Sequence, residues 1–402
     1  MPSDSPTPRH VGIAILGAGF SGIGAAAKLE LHGYRDYLVF ERGTAVGGTW
    51  RDNHYPGAAC DVPSHLYSYS FAPNPSWSRS FSPQPEIHRY LHDVADRYGV
   101  IAKTIFGCTV NAARWNDTDA RWEIDSTHGE FTADVLIGAF GVLVEPSMPE
   151  IPGIETFAGE VFHSSRWNHD VDLTGKRVAV IGTGASAIQI IPAIAGTVGR
   201  LDVYQRTAAW VLPRADRPYT RLEQAAFRLV PGYRALVRAR IYTAREYLAF
   251  ALTRGSAWVR PLELLAKAKL HWEIRDPGLR TKLRPKFRLG CERILLSNNY
   301  YPALARDNVE VVTEPIAEIL SNAVITADRT IREVDALVVA TGFQVVDSPV
   351  FDLIRGRDGA VWPRSSTSQA CRLTRAPPSR TFPTRSSCTA RTRAPATPLR
   401  SS

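Results

Sequence analysis

The chain has 402 residues, 44% of them hydrophobic, and a formal net charge of +9. This length suggests two or three domains, and the apolar content can fill their cores, which excludes a wholly disordered chain. The charge does not indicate a nucleic-acid-binding body, because residues 355–402 carry ten arginines and one acidic residue while residues 1–354 are electrically balanced.

Targeting and metal-binding signals are missing from the sequence. No apolar run reaches membrane-spanning length, and residues 1–10 are polar and proline-rich, which predicts a disordered N-terminus without a secretory signal. The five cysteines are widely spaced and form no Cys-x-x-Cys pair, which argues against a disulfide framework, a metal site and the disulfide-reductase class. We therefore expect a cytoplasmic protein without metal, integral membrane segment or nucleic-acid partner.

A glycine-rich turn follows the first predicted strand, at residues 11–16. Glycines at this spacing let a strand turn sharply into a helix, whose N-terminal amides bind a pyrophosphate. A carboxylate, Glu41, stands at the end of the next predicted strand, where it would accept a hydrogen bond from a free ribose 2′-hydroxyl. We therefore predict an FAD site, to which we assign Gly17, Gly19, Phe20, Ser21, Gly22, Glu41 and Arg42.

A second turn of the same kind follows the apolar run 178–181. Here Arg206 occupies the position equivalent to Glu41, just beyond the predicted strand 201–204. An arginine at this position pairs with a 2′-phosphate, which predicts an NADPH site. We assign to it Gly182, Thr183, Gly184, Ala185, Ser186, Gln189, Arg206 and Thr207. The alternative is a pair of purely structural turns.

These motifs predict an α/β protein with two Rossmann-like dinucleotide-binding domains. We expect the FAD-binding domain at 11–150, the NADPH-binding domain at 151–335 and a return to the FAD-binding domain at 336–359. Residues 222–274 have helical spacing, which predicts a helical insertion that covers the substrate cleft as a lid. Its basic amphipathic part, 235–252, leaves peripheral membrane contact as the alternative. Residues 360–402 contain no glycine, lysine or acidic residue and show no period, which predicts a disordered tail.

Three further stretches resemble one enzyme family. The segment 47–61, with Gly47, Gly48, Trp50, Tyr55, Pro56, Gly57 and Asp61, resembles the active-site signature of Baeyer-Villiger monooxygenases, the ketone-oxidising branch of class B flavoprotein monooxygenases. The family fingerprint FxGxxxHxxxW is matched by Phe157, Gly159, His163 and Trp167, although Asn168 departs from it at the next position. Residues 337–342 resemble the family's Ala-Thr-Gly stretch.

The resemblance implies roles for individual residues. Asp61 is expected to contact a catalytic arginine, which we place at Arg293 rather than at Arg288 because the residues around Arg293 match the family. Glu292 stands where the family usually has lysine. His163 and Trp167 are expected to hold the connection between the domains and support NADPH, not to transfer protons. We also assign cofactor contacts to Gly48, Thr49, Trp50, Asp61, Tyr67, Val110, Thr341 and Gly342.

The resemblance further implies a monooxygenase that uses FAD and NADPH. NADPH would reduce FAD, O2 would form a flavin C4a-peroxide, and its attack on a small ketone would give an ester or lactone. Arg293 would stabilise the negative charge, with Asp61 tuning the arginine. Two alternatives stay open: a related monooxygenase that oxidises nitrogen or sulfur, and a truncated, non-catalytic remnant of the family.

The tail bears on the last alternative. The family carries an FPN…GPNTGxGHT segment after the Ala-Thr-Gly stretch, and this chain lacks it. Codons can be chosen for residues 384–397 whose shifted reading frame encodes such a segment. We therefore expect a frameshift within residues 359–381, after which the chain ends short of its relatives.

Overall fold

The computed structural model describes residues 8–254, 256–345 and 348–357. Within them the strands are β1 (Arg9–Leu16), β2 (Tyr37–Phe40), β3 (Thr104–Ile105), β4 (Val110–Asn116), β5 (Arg121–Ser126), β6 (Gly129–Gly138), β7 (Glu160–His163), β8 (Arg177–Ile181), β9 (Arg200–Tyr204), β10 (Val211–Leu212), β11 (Leu295–Leu296), β12 (Val309–Val312), β13 (Ile316–Ile319), β14 (Ala323–Thr326), β15 (Ile331–Glu333), β16 (Ala336–Val339) and β17 (Ile354–Arg355).

Some of the helices pack on the two main sheets, and three consecutive helices form a helical insertion. The helices are α1 (Phe20–Leu31), α2 (Thr49–Asp52), α3 (Gln84–Arg97), α4 (Ala187–Ile194), α5 (Arg221–Leu229), α6 (Tyr233–Arg254), α7 (Ser256–Glu273), α8 (Pro277–Lys282), α9 (Tyr300–Leu304) and α10 (Val350–Leu353). The helical insertion, here α5 to α7, matches the helices predicted for 222–274. In the described part of the chain, no helix is long and apolar enough to cross a membrane.

Two main sheets confirm the predicted α/β class. The first has the strand order β17-β4-β5-β6-β1-β2-β3, with β6, β1, β2 and β3 parallel and β4 to β6 antiparallel. The second has the order β12-β9-β8-β16-β7 and is wholly parallel. Parallel strands place their carboxyl ends at one edge, so each glycine turn opens at the ligand-binding edge of its sheet.

Apolar helix faces hold each sheet to its helices. In α1, Ile23, Ala26 and Ala27 are fully buried, and they pack with Ile15 of β1 and Val39 of β2. In α4, five of the eight residues are buried against the second sheet: Ala187, Ile188, Ile190, Ile191 and Ile194. Each fully buried isoleucine contributes about 1.5–3 kcal/mol, so these faces fix where the two glycine turns lie.

Two predicted boundaries are wrong. Strand β1 begins at Arg9, because residues 9 and 10 already pair with β6, so the strand extends into the predicted disordered N-terminus. Strand β16 lies between β7 and β8 in the second sheet, although residues from 336 onward were predicted to return to the first domain. The first sheet is rejoined only at β17, which pairs with β4. Residues 1–7 and 358–402, with the predicted tail and frameshift, lie outside the described residues.

Two segments connect the sheets, and they are bonded to each other. One leaves β6 and the other follows β16. The amide of Ser147 donates to the carbonyl of Gly342 at 2.9 Å, and the amide of Gln344 donates to that of Glu145 at 2.9 Å. The hydroxyl of Thr341 also donates to the carbonyl of Ser147. The paired connection therefore places Thr341 and Gly342 between the two sheets.

Candidate active site

A cavity of about 1220 Å³ lies between the two halves of the molecule. Residues from both halves line it, including Trp50 and Tyr67 on one side and Thr183 and Thr207 on the other. The predicted site residues among its walls are Thr49, Trp50, Asp61, Tyr67, Gly182, Thr183, Gly184, Ala185, Ser186, Gln189, Arg206, Thr207, Arg293, Thr341 and Gly342. The structure therefore brings the signature segment, the second glycine turn and the proposed arginine to one space.

The first glycine turn lies outside the cavity lining and is built by close backbone approach. Gly17 has φ +107°, and a Cβ there would lie 2.7 Å from the carbonyl oxygen of Ala139. A Cβ on Gly22 would lie 1.8 Å from the carbonyl oxygen of Gly17. Only glycine fits either position, so the turn can bring its backbone and the start of α1 close to a phosphate.

Glu41 is buried beneath this turn and accepts hydrogen bonds from three groups. Its Oε2 accepts from the amide of Ala18 at 2.8 Å, and its Oε1 accepts from the amide of Gly43 at 2.7 Å and from Nη1 of Arg51 at 2.9 Å. The carboxylate therefore holds the turn together in addition to its predicted contact with a ribose. Its neighbour Arg42 pairs with Glu145 at 2.6 Å.

The second glycine turn repeats this construction. Gly182 has φ +114°, and a Cβ there would lie 2.5 Å from the carbonyl oxygen of Ala340. A Cβ on Gly184 would meet nothing within 4 Å, so this glycine borders open space. The hydroxyl of Thr183 donates to the carbonyl of Thr207 at 3.0 Å, which joins the ends of β8 and β9. Arg206 is exposed at that edge, free to meet a phosphate.

The signature segment begins against the first turn and supplies an aromatic wall. The amide of Gly47 donates to the carbonyl of Ala18 at 2.9 Å. Gly48 has φ +51°, and a Cβ there would lie 2.9 Å from Cα of Gly19. Beyond it, Nε1 of Trp50 donates to the hydroxyl of Tyr67 at 2.9 Å, and the two rings meet edge to face. The segment thus links the first turn to the cavity.

Asp61 and Arg293 form an ion pair at the cavity wall. Nη2 of Arg293 donates to Oδ2 of Asp61, which is the contact that the family resemblance implies for these two residues. The arginine side chain is 58% exposed and the carboxylate 35%, so the guanidinium keeps donors free to meet a ligand. Arg288 is exposed and is not among the lining residues, which favours Arg293. Its neighbour Glu292 lines the cavity too.

Gln189 makes contacts that the sequence did not indicate. Its Oε1 accepts from the hydroxyl of Tyr55 at 3.1 Å and from the amide of Ala59 at 3.3 Å, while its Nε2 donates to the carbonyl of Ala59 at 2.9 Å. The side chain therefore joins α4 to the segment that carries Asp61. A glutamine in the first turn of α4, three residues beyond Ser186, gives no sign of a partner 130 residues away.

Three of the four fingerprint residues, Phe157, His163 and Trp167, are buried, Gly159 is exposed, and none of the four is among the cavity's lining residues. The amide of Ser165 donates to Nδ1 of His163 at 3.2 Å, so the other ring nitrogen carries the proton and donates to the carbonyl of Gly342 at 3.0 Å. Burial lowers the pKa of His163, which keeps the ring neutral. Trp167 packs edge to face on Phe162. Phe157 is buried in the second sheet's core, and a Cβ on Gly159 would lie 2.4 Å from the carbonyl oxygen of Asp335.

Two other predictions have a different outcome. Val110 begins β4 and is not among the cavity's lining residues. The described residues of the helical insertion are not among the cavity's lining residues either, so its role as a lid stays a prediction. The insertion is bonded to the end of the signature segment and to the residues that follow it: Nη2 of Arg245 donates to the carbonyl of Asp61 at 3.1 Å, and Nη1 of Arg238 donates to that of His65 at 2.8 Å.

The two turns fit two dinucleotides. In the described structure, no side chain caps the first turn of α1 or of α4, but in α4 the amides of Ile188 and Gln189 already donate to the carbonyls of Gly184 and Ser186 at 3.0 Å. A phosphate at either turn would therefore meet the amides that have no such backbone partner. The acidic group lies under the first turn and the basic group beside the second, as a free 2′-hydroxyl and a 2′-phosphate require. Among the described residues, no group of three His, Cys, Asp or Glu side chains could hold a metal ion.

Known proteins share both sequence and fold with this chain. The family described as Flavin-binding monooxygenase-like matches residues 10–224. A Baeyer-Villiger monooxygenase of Streptomyces coelicolor is 49% identical over 351 residues, which is 87% of this chain and 68% of that protein. The crystal structure of cyclohexanone monooxygenase from Rhodococcus sp. Phi1 bound to NADP+ is 31% identical with a TM-score of 0.78, covering 88% of this chain and 75% of that one.

A further solved structure, OTEMO in complex with FAD and NADP, is 32% identical with a TM-score of 0.76 and covers 89% of this chain and 76% of that one. Sequence identity of this extent and a shared two-sheet fold confirm the resemblance drawn from the motifs. The chain belongs to the Baeyer-Villiger monooxygenase family of flavin-binding monooxygenases.

Proposed function

We propose that this chain is a FAD- and NADPH-dependent Baeyer-Villiger monooxygenase. It would convert a small ketone, O2, NADPH and a proton into an ester or lactone, NADP+ and water. The observation that carries the proposal is the Asp61–Arg293 ion pair, which lies on the wall of a cavity bordered by both the signature segment and the second glycine turn.

Arg293 would act as the electrostatic catalyst. FAD, when bound, supplies the chemistry with O2, and that chemistry places negative charge on oxygen atoms. A guanidinium with free donors stabilises such charge, and one well-placed donor is worth about 2.7–4 kcal/mol. Asp61 accepts from Nη2 and so holds the guanidinium in one orientation, since an unpaired arginine on a long side chain has many rotamers.

The second turn would hold NADPH. Arg206 and Thr207 follow β9 by two and three residues, where the 2′-phosphate is expected, and the exposed guanidinium can bind it through two parallel hydrogen bonds. Gly184 leaves open space for the pyrophosphate. NADPH bound along this wall would occupy part of the cavity and so displace water from it. We further propose that the protein works in the cytoplasm.

Two arginine variants test the proposal. Arg293→Ala should lower ester formation about 100-fold or more, because the charge-stabilising donor is lost, while NADPH oxidation continues. Arg288→Ala is the matched control, since it removes a neighbouring exposed arginine outside the cavity, and its rates should stay within about twofold. The assay follows ketone-dependent NADPH oxidation and quantifies the ester by gas chromatography, using protein loaded with FAD and a panel of cyclic ketones.

The same assay separates the alternative chemistry. A thioether substrate would yield a sulfoxide in a monooxygenase that oxidises sulfur. Sulfoxide production without any ester from ketones would contradict the proposal, as would ester formation at the normal rate by Arg293→Ala. Loss of ester in both arginine variants would instead indicate a general structural effect and would also count against the assigned role of Arg293.

A further inference from the structure

Arg214 lies directly behind the ion pair. It follows β10 by two residues, and its side chain is only 15% exposed. Its Nη2 donates to the carbonyl oxygen of Cys60 at 3.0 Å, and Cys60 immediately precedes Asp61. Arg214 therefore binds the peptide group between Cys60 and Asp61, next to the carboxylate that pairs with Arg293.

The backbone of Arg214 is hydrogen-bonded to the segment 293–298, which contains Arg293 and β11. Oδ1 of Asn298 accepts from the amide of Arg214 at 2.9 Å, and Nδ2 of Asn298 donates to the carbonyl of Arg214 at 2.7 Å. Asn298 follows β11 by two residues, Arg293 precedes β11 by two, and β11 pairs in parallel with β10. These contacts close a ring that runs from Asp61 through Arg293, β11, Asn298 and Arg214 back to the peptide before Asp61.

Burial of the charged Arg214 side chain at this position has an unfavourable desolvation free energy. Its nearest carboxylate, Asp216, is 4.0 Å away and is engaged more closely by Arg79, at 2.9 Å. Its Nε is buried, with no hydrogen-bond partner in the described structure, and its guanidinium lies over the ring of Phe81. Burial lowers the pKa of Arg214. A neutral side chain would avoid this desolvation cost, so the contact with Cys60 needs a separate reason.

We propose that Arg214 is a positioning residue that fixes the geometry of the Asp61–Arg293 pair. It holds the main chain before Asp61 at a set distance from the segment 293–298, which contains Arg293, through the hydrogen bonds between Asn298 and the backbone of Arg214. The effect of Arg214 on catalysis rests on the proposed monooxygenase function, whereas its effect on the Asp61 segment does not.

Kinetics test the catalytic part. Arg214→Met keeps the length of the side chain but removes its donors, and it should lower ester formation about 10- to 100-fold because the pair is displaced. The KM for NADPH should change less than about twofold, since Arg214 does not reach the second glycine turn. Arg79→Met is the matched control: it removes the closer partner of Asp216 without touching Cys60, and it should leave ester formation within about twofold. Asn298→Ala cuts the ring elsewhere and should resemble Arg214→Met.

A double-variant cycle separates positioning from general damage. If Arg214 acts only through the pair, the variant with both Arg214→Met and Asp61→Ala should be no slower than Asp61→Ala alone. Losses that multiply would show that Arg214 acts independently of Asp61 and would overturn the proposal.

Hydrogen exchange decides the structural part without cofactor or substrate. In the cofactor-free protein, Arg214→Met should speed amide exchange in residues 58–62 at least about fivefold, and Arg79→Met should not. Unchanged exchange in Arg214→Met would overturn the proposal even if the wild-type protein oxidised no ketone. Faster exchange together with an inactive wild type would instead refute only the proposed function.

Discussion

Replacing Glu41 by glutamine should destabilise the first domain even when no FAD is present. The carboxylate accepts from two backbone amides and from Arg51, and both side chains of that ion pair are largely buried, at 6% and 18% exposure. The side-chain amide of glutamine keeps one acceptor oxygen, but its NH2 group replaces the second carboxylate oxygen. That NH2 group would face donors that the second oxygen accepts from in the native protein. Hydrogen bonds to a charged group are each worth about 1.5–3 kcal/mol, and breaking a buried pair costs about 3–5 kcal/mol.

The expected loss for Glu41→Gln is therefore about 3–5 kcal/mol. For a domain of 150–250 residues this lowers the melting temperature by on the order of 10 °C. Differential scanning calorimetry on the cofactor-free protein measures it. Glu30→Gln is the matched control, because Glu30 also pairs with a cation, Lys103 at 2.8 Å, but touches no glycine turn. That pair is more exposed, so the control should lose about 1 kcal/mol.

The melting temperature of Glu41→Gln without FAD decides whether Glu41 stabilises the turn. Suppose that the cofactor-free Glu41→Gln and Glu30→Gln variants have the same melting temperature and that Glu41→Gln lowers only the affinity for FAD. The contacts of Glu41 to Ala18 and Gly43 would then not stabilise the turn. Glu41 would then act on the ribose alone, as the sequence motif by itself predicts.

Two further predictions concern the second glycine turn and pH. Gly182→Ala should lower the melting temperature of the cofactor-free protein, because the residue has φ +114° and its Cβ would collide with the carbonyl oxygen of Ala340. Gly184→Ala should leave the melting temperature unchanged and weaken NADPH binding, as measured by a fluorescence titration. Burial, with Arg234 and Arg238 nearby, lowers the pKa of His65 to about 4, so the folded state disfavours the proton that the unfolded chain binds below about pH 6.5. The free energy of unfolding should thus fall by about 3 kcal/mol as pH decreases from 6.5 to 4. Denaturant titrations of His65→Phe should show a smaller decrease over this pH range. An equally large decrease in His65→Phe would assign the loss to other groups.

Local patterns predicted the parts of the fold that depend on neighbouring residues. The two strand-turn-helix units were predictable because glycine is required where the backbone has positive φ or approaches another carbonyl, as at Gly17 and Gly182. The sheet to which 336–339 belongs was not predictable in this way. A short buried run of apolar residues suits either parallel sheet, and only its long-range pairing with β7 and β8 decides between them.

Contacts in the candidate site were predicted where a family motif names both residues and missed where a side chain binds the main chain of a distant segment. The Asp61–Arg293 pair joins residues 232 apart and was expected only because both match the motif. Gln189 and Arg214 were not identified as supports of the Asp61 segment, because their side chains meet main-chain carbonyl oxygens. Any residue supplies such an acceptor, so the sequence gives no signal for the partner.

The paired connection between the sheets determines how the two domains can move. A single peptide linker permits rotation about its own bonds in every direction. Two segments joined by the Ser147–Gly342 and Gln344–Glu145 hydrogen bonds behave instead as a ribbon, which bends across its plane but resists twisting. We therefore expect any opening of the two halves to hinge about Thr341 and Gly342 and to require that the hydrogen bonds of Gln189, Arg214 and Arg293 to the segment that carries Asp61 break. Such a motion widens the mouth of the cavity for ligands to enter and leave without sliding one nucleotide turn sideways past the other.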